Sequence, residues 1–164
     1  ICVSTWIIRS RVINLNLKDI KSEFQFVGNQ ILKLSLKNDF VQLPPQELLS
    51  KCVFDVEYEI PPIDILNETD ERYGFVDLHL KLNILSKKKE RLSLNLSIRG
   101  CFTDSVSTPK ETFSEMLGLN GCATLYSIAR AQIISITSQA MNGGELILPM
   151  VNFFKMKEKK DKET

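Results

Sequence analysis

The sequence predicts an α+β fold: an antiparallel β-sheet of four or more strands with two C-terminal helices packed on one face. Three observations carry that expectation. Apolar and polar residues alternate with period two through most of the stretch from Arg11 to Arg99, so each strand is apolar on one side only. One-sided strands mark antiparallel sheets rather than parallel ones. Past Cys101 the apolar spacing changes to three and four residues, and a run of strands followed by a run of helices is the α+β order.

The strands succeed one another along the chain. Ile13, Leu15 and Leu17 alternate with Asn14, Asn16 and Lys18, and Phe24 and Phe26 form a second short extended run. Leu32, Leu34 and Leu36 alternate with Lys33, Ser35 and Lys37. Pro44 and Pro45 break the chain before a single helical turn over Gln46–Lys51. Cys52, Phe54, Val56, Tyr58 and Ile60 then oppose Asp55, Glu57 and Glu59, and Pro61 and Pro62 end this strand because proline cannot donate to a ladder. Ile63–Tyr73, with Asn67, Glu68, Asp70 and Glu71, reads as a polar loop. Val76, Leu78, Leu80, Leu82 and Ile84 oppose Asp77, His79, Lys81 and Asn83. Leu92, Leu94, Leu96 and Ile98 oppose Ser93, Asn95, Ser97 and Arg99, and the charged link Ser86–Glu90 joins these two long strands as a hairpin.

After Cys101, Pro109 opens a short helix over Lys110–Leu117, with Gly118 as its stop. Asn120 then caps a longer helix from Gly121 to Met141. In it Cys122, Leu125, Ala129, Ile133, Ile136 and Ala140 share one face, and Tyr126, Ile128, Ile134 and Met141 widen the apolar area beyond a single stripe. Gly143 and Gly144 end it. Glu145–Phe154 comes next as an apolar extended segment, and a last turn begins near Phe154. The chain is thus read as a single domain over 11–154, with an N-terminal extension at 1–10 and a charged flexible tail at 155–164.

Composition excludes several functional classes. The chain has 164 residues, 43% hydrophobic and 25% charged, which is ordinary for a globular domain and far from the disordered class. Lys+Arg number 21 and Asp+Glu 20, so no basic excess exists to hold nucleic acid or an anionic membrane. The run Ile1–Ile8 precedes Arg9 and Arg11, the reverse of a secretory signal, and falls short of the roughly 20 residues of a membrane helix. Cys2, Cys52, Cys101 and Cys122 form no CxxC pair and read as reduced thiols in a cytoplasmic protein.

Catalytic constellations are weak, and the chain does not read as an enzyme. His79 is the only histidine, lies on the polar face of its strand, and has no GxSxG-like elbow to serve. One histidine without cysteine pairs makes no zinc site, and Gly143-Gly144 comes after a helix where a phosphate loop would precede one, so no cofactor is expected. Asp55, Glu57 and Glu59 read as a solvated strip. Lys87–Lys89 read as a hairpin tip. The outstanding feature is apolar surface. The strand Cys52–Ile60, the long helix and the segment Glu145–Phe154 carry more hydrophobic side chains than a two-layer domain can hide, which points to an oligomer interface and a groove.

Three features in order resemble the SecB family of bacterial export chaperones. The first is a strand ending in Ile98-Arg99-Gly100-Cys101-Phe102. The second is a short helix and a longer one carrying Ala129-Arg130. The third is the run Leu146-Ile147-Leu148-Pro149-Met150-Val151-Asn152-Phe153 after a helix-stopping glycine. Leu17-Lys18-Asp19-Ile20 also looks like the family's first strand. The resemblance implies a homotetramer, or a dimer, with helices sandwiched between sheets. It implies an ATP-independent holdase that binds unfolded polypeptide in hydrophobic grooves, with protein export and SecA as a possible partner.

By position, the resemblance places the groove at Phe54, Val56, Tyr58 and Ile60 of a strand. It adds Ile136, Ala140 and Met141 of the long helix, and Leu146, Leu148 and Pro149 of the crossover. Gly100, Phe102, Ala129, Arg130, Asn152 and Phe153 are its structural motif, Arg130 bonding a strand or loop and Asn152 capping the last turn. The chain departs from the export members in four ways: it is neutral where they are acidic, it has Asn95 near their acidic docking position, its lysine-rich tail lacks their acidic, SecA-recognised ending, and its first connecting region, Gly28–Lys51, is longer. A dedicated chaperone of one partner, such as a toxin–antitoxin pair, is the alternative.

Overall fold

The structure is a computed structural model that describes residues 21–39, 41, 43–62, 65–66, 70–86, 89–142 and 144–163. The strand expected over Arg11–Lys18, and Cys2, lie outside these. The sheet is antiparallel, five-stranded and ordered β1-β5-β4-β2, with β1 Gln25–Asn38, β2 Cys52–Glu59, β4 Glu71–Ser86 and β5 Lys89–Ser105. β3, Ile65–Leu66, pairs with Arg72 and Tyr73 of β4, so the stretch read as a polar loop contributes a short strand. Tyr73 itself belongs to β4.

Alternation sets the faces. Val76, Leu78, Leu80, Leu82 and Ile84 of β4 stand opposite the even-numbered residues Leu92 to Gly100 of β5 on one side of the sheet. Asp77, His79, Lys81 and Asn83 oppose Ser93 to Arg99 on the other. Leu82, Ile84, Leu92, Leu94 and Ile98 are all fully buried. The helices α1 Pro45–Lys51, α2 Lys110–Met116 and α3 Cys122–Ala140 supply the second layer. Leu125, Ala129 and Ile133 of α3 are buried in the same core, and Leu48 of α1 and Val41 join it.

Two glycines set how closely the helices approach. A Cβ on Gly100 would stand 2.7 Å from Leu125 Cδ2, and one on Gly74 would stand 2.7 Å from both Leu117 Cδ1 and the Phe113 ring. Phe113 and Leu117 are themselves buried and have no room to yield. Gly74→Ala is therefore expected to destabilise the domain by about 1–3 kcal/mol through overpacking. Thermal unfolding followed by circular dichroism reads this, and an unchanged midpoint would show that the helix layer can reseat.

The helical layer differs from the expectation in two places. Gly118 does not stop the first helix, and Asn120 does not cap the second. A π-helical turn, Leu117–Gly121, joins α2 to α3, and Gly121 keeps helical angles (φ −62°, ψ −49°). Gly118 is buried against Ile60 and Gly121 against Val76, so packing on the sheet holds a helical backbone where local preference favours a break. The tail read as flexible also forms a helix, α4 Phe153–Glu163, with Lys157 in an ion pair to Glu115 at 3.7 Å.

The first strand is the larger surprise. The two separately read runs, apart from Phe24, and the first part of the long connecting region Gly28–Lys51 belong to one fourteen-residue strand against β5 that ends at Asn38. Two register shifts interrupt it, between Phe26 and Gly28 and between Ile31 and Lys33. Each leaves one residue, Val27 or Leu32, without a partner and flips the facing of the residues after it. The helix-side residues of β1 are consequently Phe26, Asn29, Ile31, Leu34, Leu36 and Asn38, opposite Phe102, Gly100, Ile98, Leu96, Leu94 and Leu92.

Candidate functional site

Helix α3 holds the crossover segment that comes after it. Tyr126 Oη donates to Pro149 O at 2.6 Å, Arg130 Nε donates to Leu148 O at 2.9 Å, and Thr137 Oγ1 accepts from Leu146 N at 2.9 Å. At 3.6 residues per turn these three side chains lie on one flank of the helix. Extended backbone has no ladder of its own here, so side chains satisfy it. Burial pushes the Tyr126 phenol above its ordinary value, which keeps it a donor. Asn152 Oδ1 accepts from Lys155 N at 3.1 Å at the start of α4, and Phe153 packs edge-on against both Tyr58 and Tyr126.

The residues placed in the groove by resemblance fall into three groups. Tyr58, Met141, Leu146 and Leu148 are buried in the core of this chain and line no open surface. Phe54, Val56, Ile60, Ile136 and Ala140 are half-buried and packed against that core. Pro149 is exposed on the crossover. Crossover and β2 therefore close onto the helix, because the three α3 side chains and the Tyr58–Phe153 contact draw them inward. Of the structural motif, Phe102 and Ala129 are buried in the core and Arg130 anchors the crossover.

Open apolar surface lies instead along β1. Phe26 is 40% exposed, Ile31 44%, Leu34 46% and Leu36 40%, although all four stand on the helix side of the sheet. The helix layer sits over β4 and β5 and stops short of this edge. Asn38 Nδ2 donates to Ala140 O at 2.5 Å and ties the end of β1 to the end of α3. Phe24 stacks on Phe102 and meets Phe113 edge-on, which closes the other end. On α3, Ile128, Gln132 and Ile136 lie on the flank opposite the one that holds the crossover. Gln132 Oε1 is buried there without a hydrogen-bond partner.

The alternation of Leu34 and Leu36 with lysines was legible in the sequence. Their helix-side facing was not, because it depends on the irregularity at Leu32. A second exposed apolar group lies on the crossover and α4, where Met150 is 72% and Phe154 67% exposed beside a cleft of about 400 Å³ lined by Leu119, Asn120 and Ala123.

The other face of the sheet is polar and internally bonded. Arg99 grips Asp77 through two 2.6 Å hydrogen bonds, and hydrogen bonding to Asp77 holds the guanidinium above its already high range. His79 Nδ1 bonds the Ser97 hydroxyl at 2.9 Å, and Ser93 donates to Asn83 Oδ1 at 2.8 Å. Among the described residues no group of three metal-ligating side chains comes together.

Cys52 and Cys101 carry free thiols. Burial pushes Cys52 up to about 11, and Cys101 is raised for the same reason. The thiolate is the nucleophile, so Cys52 is expected to alkylate with iodoacetamide at pH 8 far more slowly in the folded protein than in denaturant. Equal rates in the two states would refute the burial of this thiol. Because the folded value lies above the ordinary 9.0, this group's linkage is neutral below pH 9 and erodes stability as pH rises from 9 to about 11.

No family model and no curated protein matches the sequence. Among solved structures, a SecB-like chaperone of Mycobacterium tuberculosis, in complex with a ChAD peptide from the HigA1 antitoxin, superposes with a TM-score of 0.52. The identity is 13%, over 79% of this chain and 91% of that one. The fold is SecB-like. A Streptococcus agalactiae protein of unknown function aligns with a TM-score of 0.42 and 10% identity over 77% of this chain and 96% of that one. No helix among the described residues is long and apolar enough to cross a membrane.

Proposed function

We propose that this protein is a SecB-like, ATP-independent holdase that binds unfolded polypeptide and performs no covalent chemistry. The observation that carries this reading is the exposed apolar row Phe26, Ile31, Leu34 and Leu36, on the side of the sheet that the helices cover everywhere else. Exposed apolar surface of this kind on a folded domain marks a binding site. A holdase acts by mass action, lowering the free concentration of aggregation-prone chains. The SecB-like fold supports the same assignment.

A cytoplasmic homotetramer or dimer belongs to the proposal. The solvent side of α3 carries Ala123, Ser127, Ala131 and Ser135 at four-residue spacing, all exposed, a surface on which a second helix can pack closely. The test combines light scattering of the purified protein with aggregation of a chemically unfolded client. Suppression at near-stoichiometric amounts by an oligomer supports the reading, and a monomer without suppression overturns it.

A second reading is favoured by one finding: the Mycobacterium tuberculosis neighbour was solved with an antitoxin peptide. On this reading the chain serves one dedicated partner, without SecA. A pull-down returning a single partner, with no suppression of general clients, would select it. Docking on SecA in protein export is the weaker extension. Asn95 occupies the middle of a neutral outer face and donates to Ser35 Oγ at 3.3 Å, where export members carry an acid.

A further inference from the structure

The chain has four methionines, and the fold gives them unequal exposure. Met141 is buried, Met156 packs against the core, and Met116 is half-buried. Met150, on the crossover, is 72% exposed. Its thioether is nevertheless held in place. Arg130 Nη1 donates to Met150 Sδ at 2.9 Å, while Nε of the same guanidinium donates to Leu148 O at 2.9 Å. One planar group thus bridges the residues on either side of Pro149. A thioether sulfur is a weak acceptor, so Nη1 is the less well satisfied of the two donors. The sulfur keeps a second lone pair, and the exposure of the side chain opens it to small oxidants in solvent.

We infer that Met150 is a reversible oxidation site, at which a peroxide converts the thioether to a sulfoxide that Arg130 then holds more tightly. The sulfur lone pair attacks the outer oxygen of hydrogen peroxide. An S–O bond forms and the O–O bond breaks. The departing hydroxide takes the proton of the transferred oxygen and leaves as water. Sulfur loses two electrons and the peroxide gains them. The new oxygen is a stronger acceptor than the sulfur, and its bond to a guanidinium is charge-assisted. The side chain is long, unbranched and exposed, so the sulfur can draw back and seat that oxygen at Nη1. Methionine oxidation disrupts a protein where it puts a polar group into a core, and an exposed Met150 incurs no such cost. Oxidation here fastens the crossover instead of freeing it. The site goes beyond the holdase reading, since it needs no client.

The full-length protein is treated with dilute hydrogen peroxide, and peptide mapping by mass spectrometry assigns each added oxygen to a residue. Met150 is expected to oxidise at least about ten-fold faster than Met141, whose sulfur is reached only through local opening. Amide exchange at Leu148 and Met150 should then slow about five-fold, because opening the segment must break a charge-assisted bond. Treatment with methionine sulfoxide reductases should restore the original exchange. Met150→Leu keeps an apolar side chain at an exposed position and should abolish the slowing by peroxide. Oxidation that begins at another methionine overturns the inference. So does oxidation of Met150 that leaves exchange at Leu148 unchanged or faster, which would show a sulfoxide released from Arg130. Slowing that persists in Met150→Leu, or that the reductases fail to reverse, overturns it as well.

Discussion

Replacing Leu34 and Leu36 together by serine is expected to remove most of the capacity to keep an unfolded client in solution while leaving a folded domain. The two side chains are 46% and 40% exposed, so folding buries a little over half of each. Fully burying a leucine is worth about 1.5–3 kcal/mol, and the part left open by folding is the part a client can still cover, about 1 kcal/mol each. Losing both weakens a client by about 2 kcal/mol, or roughly thirty-fold. The cost to folding is similar in size and spread over a long strand laddered to β5. Light scattering of an aggregating client reads the function, and a thermal melt reads the fold. Val53→Ser, exposed on the outer face of β2, is the control and should protect as well as the parent. A double variant that protects equally well would remove β1 from the binding surface.

Thr137→Val is expected to loosen the crossover and cost about 1–3 kcal/mol, the penalty of leaving one buried amide without an acceptor. Thr137 is fully buried, and its hydroxyl donates to Ile133 O at 2.7 Å while accepting from Leu146 N at 2.9 Å. Valine keeps the shape and removes both roles, so no cavity confuses the outcome. Amide exchange should accelerate at residues 146–148, whose side chains Leu146 and Leu148 are buried. Thr137→Ser retains the hydroxyl and should restore protection. If valine and serine behave alike, the Thr137–Leu146 hydrogen bond does not hold the segment, and the Tyr126 and Arg130 bonds suffice.

How much of this was legible in the sequence depends on whether the signal was local. The hairpin of β4 and β5 was, because the alternation over Val76–Ile84 and Leu92–Ile98 has only one way to face a core. The exposed apolar row of β1 was not. Ile31 and Leu34 share a face only because Leu32 is left without a partner against β5, and no composition cue at Leu32 announces that shift. The helix-side row of β1 was therefore invisible, while Tyr58, Leu146 and Leu148, equally apolar, drew attention and proved to be core. An apolar residue in a strand or crossover reads the same whether a helix lies over it or stops short.

The amphipathic period by itself determined the layer order: an antiparallel sheet, apolar on one face, succeeded by helices that cover it. Alternation is a property of the covalent chain, since successive side chains on a strand must point to opposite sides. Tertiary structure decided where that cover ends. Packing against Ile60 and Val76 carried the helix through Gly118 and Gly121, three side chains of α3 pinned the crossover inward, and β1 was left with its apolar row half-open. Each of these is a balance between a local preference and a contact with residues distant in sequence. Only the folded arrangement brings both sides of that balance together.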